Sequence, residues 1–155
     1  MIKLFIILFG FSISFLSISQ DYLHAFGVRN TKDNYGFLFE VSYRNLILEN
    51  QGFELDVSSR FKTNTHTSVI SYRYDIHLDK GISVCVGGSF QATMIGLLDD
   101  SYFGVGGLFG IEFNLTEYKL PIALTIDIRP IKLFDTGEVL GVSPSLGIRY
   151  LIYTK

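Results

Sequence analysis

The sequence has a single cysteine, no tryptophan and only three prolines among its 155 residues. One cysteine, Cys85, excludes an internal disulfide, so the domain must be held together by its sheet and its packing. No cationic neighbour in sequence indicates a reactive thiolate, so Cys85 is predicted to be a small packed side chain rather than a nucleophile. A basic excess is also missing. The formal net charge of −2 argues against nucleic acid as a partner, because phosphates call for a basic surface.

Long apolar runs are missing after residue 20, although hydrophobic residues make up 48% of the chain. No later run approaches the ~20 residues that a transmembrane helix needs. Apolar composition without apolar runs is typical of a membrane β-barrel, whose strands present only every second residue to lipid. Residues 1–20 begin with Lys3, continue with a short apolar core and end in small and polar residues, which predicts a secretory signal peptide. An anchoring helix is the alternative, but the run is short for a span. The predicted domains are therefore a signal peptide at 1–20 and a β-barrel at 21–155.

The clearest pattern of the chain is the alternation between residues 105 and 129, which predicts a β-hairpin. In its second half, Ile122, Leu124 and Ile126 share one parity, while Thr125 and Asp127 take the other. Similar alternation recurs along the chain and shows no helical period. It predicts one all-β domain, an eight-stranded antiparallel up-and-down transmembrane barrel. The predicted strands cover residues 22–31, 35–44, 53–61, 68–78, 82–91, 105–115, 120–129 and 142–153.

The connections should alternate between the two ends of this barrel. With the N-terminus in the periplasm, the outward connections are residues 31–34, 62–66, 92–101 and 130–141, of which the last is predicted to be the longest. Residues 79–81 and 116–119 are predicted to be short periplasmic turns. The second connection, near residues 45–52, fits less well because an apolar segment there extends the strands.

Charged residues are segregated by type. After the signal segment every lysine falls in a predicted connection or at the terminus, whereas all six arginines lie on the polar parity of a strand or at its end, together with six carboxylates. Forked guanidinium groups suit carboxylate pairing in a narrow, low-dielectric lumen better than the strongly hydrated lysine ammonium. The predicted lumen charge network is Arg29, Glu40, Arg44, Glu54, Asp56, Arg60, Arg73, Asp75, Glu112, Asp127, Arg129 and Arg149. The residues predicted to face lipid are Phe37, Phe39, Val41, Ile122, Leu124, Ile126, Leu146 and Ile148.

The chain resembles the small eight-stranded outer-membrane β-barrel proteins of Gram-negative bacteria. The resemblance rests on the export signal and on AFGVR at 25–29, SYR at 42–44, SYRY at 71–74, IEFNL at 111–115 and SLGIRY at 145–150. It implies a barrel that the outer-membrane assembly machinery inserts among outer-membrane lipid and lipopolysaccharide. Members of such families include packing proteins, adhesins and a few lipid enzymes. We expect a non-enzymatic protein without cofactor, which acts structurally or binds an extracellular partner through residues 92–101 and 130–141.

Two alternatives remain open. A soluble periplasmic or secreted lipocalin-like binding barrel would turn the apolar parity inward around an apolar cavity. A lipid-modifying outer-membrane enzyme would need a base, for which the candidates are His24, His66 and His77. His66 precedes Ser68 closely enough for a Ser–His pair to be conceivable, whereas His77 shares its parity with the charges and is predicted to join the lumen network. No catalytic, cofactor-binding or metal-binding residue is predicted.

Overall fold

The computed structural model describes residues 23–33, 36–48, 50–60, 64–79, 81–95, 100–134 and 139–153. They form eight antiparallel strands that close into one barrel in sequence order. The predicted eight-stranded up-and-down barrel is confirmed, whereas the predicted signal segment lies outside the described residues. The strands are β1 (Leu23–Asp33), β2 (Gly36–Leu48), β3 (Gln51–Arg60), β4 (Thr65–Asp79), β5 (Ile82–Ile95), β6 (Asp100–Asn114), β7 (Ile122–Leu133) and β8 (Val139–Tyr153).

Closure of the barrel joins the first strand to the last. β1 pairs with β8 from Leu23 opposite Tyr153 to Thr31 opposite Ser145, so the sheet has no free edge on which another chain could template a strand. Within the described part of the chain, no helix has the length and apolar character to cross a membrane. We call the end of the barrel that carries the β1–β2, β3–β4, β5–β6 and β7–β8 connections the odd end. The opposite end, where β1 begins and β8 ends, is the even end.

Strands at the odd end run further than the sequence pattern predicts. β5 continues to Ile95 and β6 begins at Asp100, while β7 continues to Leu133 and β8 begins at Val139. The predicted long connections 92–101 and 130–141 are therefore wrong, because most of their residues lie in strands. Lys32 and Lys132 likewise lie in β1 and β7 rather than in connections.

Pro130 explains part of this error. Proline lacks a backbone N–H and usually ends an internal strand, but a β-bulge can accommodate it. Here the β7–β8 register shifts between Pro130 and Ile131, so the strand continues past the proline at the cost of one irregularity.

Turns at the even end are short. Gly81 adopts a φ of +79°, which suits glycine, and its carbonyl accepts a 2.6 Å hydrogen bond from the Asn114 N–H. A 3-10 turn, Leu115–Tyr118, links β6 to β7, and the Asn114 side chain accepts a hydrogen bond from the Thr116 N–H at its start. In the β2–β3 connection the apolar segment extends β2 to Leu48, as its sequence suggests.

The two faces of the sheet have opposite character. In β7, Thr125 and Asp127 are 1% and 3% exposed, whereas the intervening Ile126 is 54% exposed. The same inversion recurs around the barrel, where Phe37 and Leu146 are 74% and 61% exposed. The barrel thus has a polar inner wall and an apolar outer wall.

Candidate functional site: the charged interior and the apolar outer wall

Charged side chains fill the middle of the barrel. The carboxylates on the inner wall are at most 5% exposed, namely Glu40, Glu54, Asp56, Asp75, Glu112 and Asp127. Arginines share this burial at 1–4% exposure, namely Arg29, Arg44, Arg73, Arg129 and Arg149. Burial of so many charges is tolerated only where each is paired and hydrogen-bonded.

Glu54 occupies the centre of this cluster. Its carboxylate accepts hydrogen bonds from four guanidinium groups: Arg149 at 2.6 Å, Arg129 at 3.1 Å, Arg73 at 3.2 Å, and Arg29. These arginines come from β8, β7, β4 and β1, so one side chain of β3 joins strands on all sides of the barrel. Such a hub is available only in a barrel narrow enough for opposing side chains to meet.

Glu112 forms a second hub on β6. Arg44 binds it with both terminal nitrogens, one of them 2.9 Å from Oε1, which is the forked geometry that arginine favours with carboxylates. Arg73 donates to the same carboxylate at 3.3 Å, and Arg149 lies 3.5 Å from it. Because Arg73 and Arg149 also contact Glu54, the two hubs belong to one network.

Asp127 and Asp56 complete the network toward the odd end. Arg29 donates to Asp127, which also accepts a 2.5 Å hydrogen bond from the Ser145 hydroxyl. Arg129 donates to Asp56, and Arg29 lies 3.4 Å from the same carboxylate. Each carboxylate here therefore contacts more than one polar partner.

Two carboxylates lie at the margin of the network. Glu40 lies 3.8 Å from Arg29 and 3.9 Å from Arg129, which is an ion-pair distance but too long for a direct hydrogen bond. Among the described residues, Asp75 forms its ion pair with Arg73, through 2.9 Å and 2.5 Å hydrogen bonds. Arg60, also predicted for this network, is partly exposed at the end of β3.

Serines join the network although they were not among the predicted site residues. Ser145 accepts a hydrogen bond from Arg29 at 2.6 Å, and Ser42 accepts one from Arg149 at 3.3 Å. Their parity could have identified them, because both alternate in phase with the charges. The sequence does not show which arginine each serine contacts, since that depends on how the strands stagger around the barrel.

Uncharged side chains occupy the interior on both sides of the charged layer. Ala25, Ala123 and Leu151 pack together at the even end, with exposures of 0%, 0% and 1%. Buried apolar side chains also lie between the charges and the odd end, namely Leu38, Val69, Leu108, Ile131 and Leu133. The charged layer is thereby kept away from bulk water, which strengthens its ion pairs.

Interior glycines leave room for the long side chains. A Cβ on Gly147 would lie 2.6 Å from the Thr125 hydroxyl and 3.0 Å from Arg29 Cγ. A Cβ on Gly110 would lie 2.9 Å from Cys85 Sγ, so the buried thiol of Cys85 is packed against this glycine. Small residues on the inner wall are thus a steric condition for the network.

Among the described residues, the contacts of the three histidines do not form a catalytic group. His77 is exposed, and its Nδ1 lies 2.8 Å from the Ser83 hydroxyl. His24 Nδ1 lies 3.0 Å from the Tyr43 hydroxyl on the outer wall. His66 and Ser68 share the outer face of β4, but the residues paired with them across the strands are Ser59, Met94, Val57 and Ala92. These neighbours include no carboxylate that could orient the His66 imidazole.

Apolar side chains cover the outer wall. The residues predicted to face lipid are exposed there, except for Ile122, which is only partly exposed. Aromatic residues mark the even end, where Phe26 and Tyr43 lie 4.7 Å apart and Phe53 and Tyr72 lie 5.4 Å apart, measured between ring centroids. The Tyr72 hydroxyl donates to the Gln51 side chain at 2.5 Å. An apolar band that ends in tyrosines with polar partners is typical of a barrel at a membrane interface.

Comparison with known proteins finds similar solved structures but no similar sequence family. No family model matches the sequence, and no curated protein matches it. Among solved structures, the N-terminal β-barrel domain of Pseudomonas aeruginosa OprF is 14% identical, with a TM-score of 0.55, over 85% of this chain and 96% of that one. Neisserial surface protein A is 18% identical, with a TM-score of 0.54, over 85% and 97%.

The Yersinia pestis outer membrane protein Ail, in a phospholipid bilayer nanodisc, is also similar. It is 11% identical, with a TM-score of 0.54, over 86% of this chain and 100% of that one. Identities this low establish the fold and leave activity and partners undetermined. With its closed eight-stranded sheet, inward charges and outward apolar band, the chain has the fold of the small eight-stranded outer-membrane β-barrel proteins.

Proposed function

We propose that this protein resides in the outer membrane as a non-enzymatic barrel, whose charge-filled interior serves as a structural plug. The observation that supports this role most directly is the Glu54 hub, where four arginines from four different strands converge on one buried carboxylate. A side chain held by so many partners is poorly suited to move during a catalytic cycle. It is well suited to fasten opposite walls of a barrel.

The distribution of polarity favours this proposal over a soluble binding barrel. A lipocalin-like protein needs an apolar cavity inside and a polar surface outside, and the two walls here have the reverse character. In a membrane, the exposed apolar side chains of the outer wall would be buried in lipid and removed from water. Lipopolysaccharide and bilayer lipid are therefore the first proposed partners, and the outer-membrane assembly machinery is the proposed route of insertion.

An extracellular partner would meet strand ends rather than long loops. The odd end faces outside in this proposal, and its connections are shorter than the sequence pattern suggests, since β5–β6 and β7–β8 are joined across residues 96–99 and 134–138. Outward-facing residues of β4–β6 at that end include His66, Met94 and Ser101, which form one cross-strand row. We propose this rim as the contact region for any partner outside the cell.

Cell fractionation tests the location of the full chain. After a carbonate wash, the protein should stay with the membrane pellet, and recovery in the soluble periplasmic fraction would contradict the proposal.

Conductance measurements in planar bilayers test whether the charged interior acts as a plug. The purified barrel should show no stable conductance, because paired charges occupy the lumen. Steady ion-selective steps from the unmodified protein would instead make the charged layer the lining of a channel.

The lipid-modifying alternative has a separate test, because His66 and Ser68 share an exposed face at the odd end. The purified barrel should release no fatty acid from phospholipid or from lipopolysaccharide. Release that disappears in both His66→Ala and Ser68→Ala, but persists in His24→Ala, would overturn the non-enzymatic assignment.

A further inference from the structure

A furrow runs along the outer wall over strands β6, β7, β8, β1 and β2. It is an open depression with a volume of about 430 Å³, and its apolar lining includes Val28, Phe39, Leu124, Ile126, Leu146 and Ile148. A second depression, of about 590 Å³, shares Asn30, Ile126 and Leu146 with it and continues to Phe37 and Pro144. The two depressions thus form one continuous surface toward the odd end, which we call the wall furrow.

The dimensions of the wall furrow match acyl chains. Val28 and Lys32 are four residues apart on β1, which corresponds to ~13 Å along the strand. That length is close to half of the ~30 Å hydrocarbon core, or one leaflet. Across the sheet the furrow extends from Phe113 on β6 to Phe39 on β2, which is four strand spacings, or ~19 Å. This is wider than a single extended hydrocarbon chain requires.

The odd end of the wall furrow is polar and cationic. Asn30 and Lys32 alternate with inward residues of β1, so both side chains point outward, and both are exposed. Lys32 lies opposite Phe37 on β2, and neither depression is lined by a described acidic residue. An anionic group above an apolar chain would therefore meet a lysine ammonium without a competing carboxylate in the lining.

We propose that the wall furrow binds one molecule of a multiply acylated, phosphate-bearing lipid of the outer leaflet, with its chains against Val28, Leu146 and Ile148 and a phosphate at Lys32. Lipopolysaccharide is the lipid with that chemistry on the outer side. This inference rests on the proposed outer-membrane location, which sets the odd end in the outer leaflet, and adds a defined site to it. The breadth of the furrow and its cationic end favour this occupant over a second copy of the chain, because the carboxylates whose burial the structure describes all lie inside the barrel, away from Lys32.

Native mass spectrometry of the refolded full chain in detergent micelles can test the site. The probes are diphosphorylated lipid A, phosphatidylglycerol and phosphatidylethanolamine, each titrated separately. Lys32→Glu removes the cation, and its matched control is Lys132→Glu, because Lys132 is also exposed in a strand at the odd end but lines neither depression. Val28→Trp fills the furrow, and Val57→Trp places the same bulk on β3, outside it.

We expect one lipid A per barrel, retained in preference to both phospholipids. Lys32→Glu should weaken this retention by about tenfold, in keeping with the loss of a lysine–anion contact near a membrane surface. Val28→Trp should weaken it by about the same factor, because the indole ring would occupy space that an acyl chain needs. Lys132→Glu and Val57→Trp should stay within about twofold of the unmodified protein.

Equal weakening by Lys32→Glu and Lys132→Glu would overturn the site, because it would show diffuse attraction rather than a furrow. Equal retention of phosphatidylglycerol would overturn the assignment to a multiply acylated lipid, and a lipid-free dimer would identify the furrow as a contact between copies. If Val28→Trp fails to fold, the lysine pair still decides the question. None of these results would change the expected recovery of the protein in the membrane pellet after a carbonate wash. The proposed lipid site can therefore be refuted without refuting the proposed outer-membrane location.

Discussion

Glu54→Gln tests whether the interior network depends on its central hub. The substitution keeps the shape of the side chain and one carbonyl oxygen, but it removes the negative charge that four arginines share. Among the four arginines, Arg149 should lose the largest share of its ion pairing. Its 2.6 Å contact with Glu54 is its shortest ion pair, and its remaining carboxylate, Glu112, lies 3.5 Å away.

The size of the effect follows from opposing contributions. At an effective dielectric of ~20, two unit charges ~3 Å apart attract by ~5 kcal/mol, so the gross attraction at Glu54 is large. Removing the carboxylate also removes its own desolvation cost, which is several kcal/mol for a buried ion. In addition, Arg73, Arg129 and Arg29 retain other carboxylates. We therefore expect a net loss of ~3–5 kcal/mol in the free energy of unfolding, the range for breaking a buried pair by removing one partner.

Asp75→Asn is the matched control. It makes the same change in charge at a carboxylate that is also buried. Within the described part of the chain, however, Asp75 pairs with one arginine, Arg73, which keeps Glu54 and Glu112. Its expected cost is ~1–2 kcal/mol. Because both variants change the net charge equally, the difference between them isolates the convergence of arginines on Glu54.

Urea titration of the refolded barrel in lipid vesicles measures both free energies of unfolding. A double variant, Glu54→Gln with Arg149→Met, should recover part of the loss, because the stranded guanidinium is removed together with its partner. If Asp75→Asn costs as much as Glu54→Gln, or if the double variant shows no coupling, the hub has no special role and the reasoning from geometry is refuted.

The architecture could be predicted because one periodicity determines so much of it. In β7, alternation alone separates Leu124 and Ile126 from Thr125 and Asp127, and the structure places these pairs on opposite walls. A β-strand has only two faces, so correct parity gives the direction of every side chain. The abundance of alternating segments then predicted the barrel.

Strand ends were less predictable, for a physical reason. Toward the odd end, polar residues such as Ser101 face outward while apolar residues such as Ile131 and Leu133 face inward. The alternation of apolar-out and polar-in residues that identifies a strand elsewhere in the chain therefore disappears there. Backbone pairing continues nevertheless, as in β5 and β6, which pair as far as Ile95 opposite Asp100. Pro130 also indicated the end of a strand, but a register shift between Pro130 and Ile131 allows β7 to continue pairing with β8.

The pairing within the interior lay beyond sequence reasoning. Parity predicts that Glu54 and Arg149 point inward, but 95 residues separate them in the chain. Their contact depends on the stagger of strands around a closed barrel, which couples residues on opposite walls. The same holds for Ser42, whose partner Arg149 lies on β8.

Three further predictions concern packing, the outer wall and the choice of arginine, all measured as free energies of unfolding in lipid vesicles. Gly110→Ala should cost ~1–3 kcal/mol, because its Cβ would lie 2.8 Å from the Ile126 carbonyl oxygen. Gly88→Ala should cost little, since only a carbonyl oxygen 3.8 Å away approaches that site, and equal costs would contradict the packing argument. Leu124→Arg should cost ~2–4 kcal/mol if that side chain faces mid-membrane lipid, whereas Leu78→Arg, near the even end, should cost ~0–1 kcal/mol. The reverse order would show that the apolar band is misplaced along the barrel. The last prediction is Arg44→Lys, which keeps the charge but replaces the forked contact with Glu112 by a single ammonium. A lysine cannot span both carboxylate oxygens and is costlier to dehydrate, so the variant should lose ~1–3 kcal/mol although the net charge is unchanged. Arg60→Lys at the partly exposed end of β3 should lose less than ~1 kcal/mol. If Arg44→Lys and Arg60→Lys lost equally little free energy of unfolding, a positive charge of either type would stabilise the interior. The confinement of arginine to the inner wall would then need another cause.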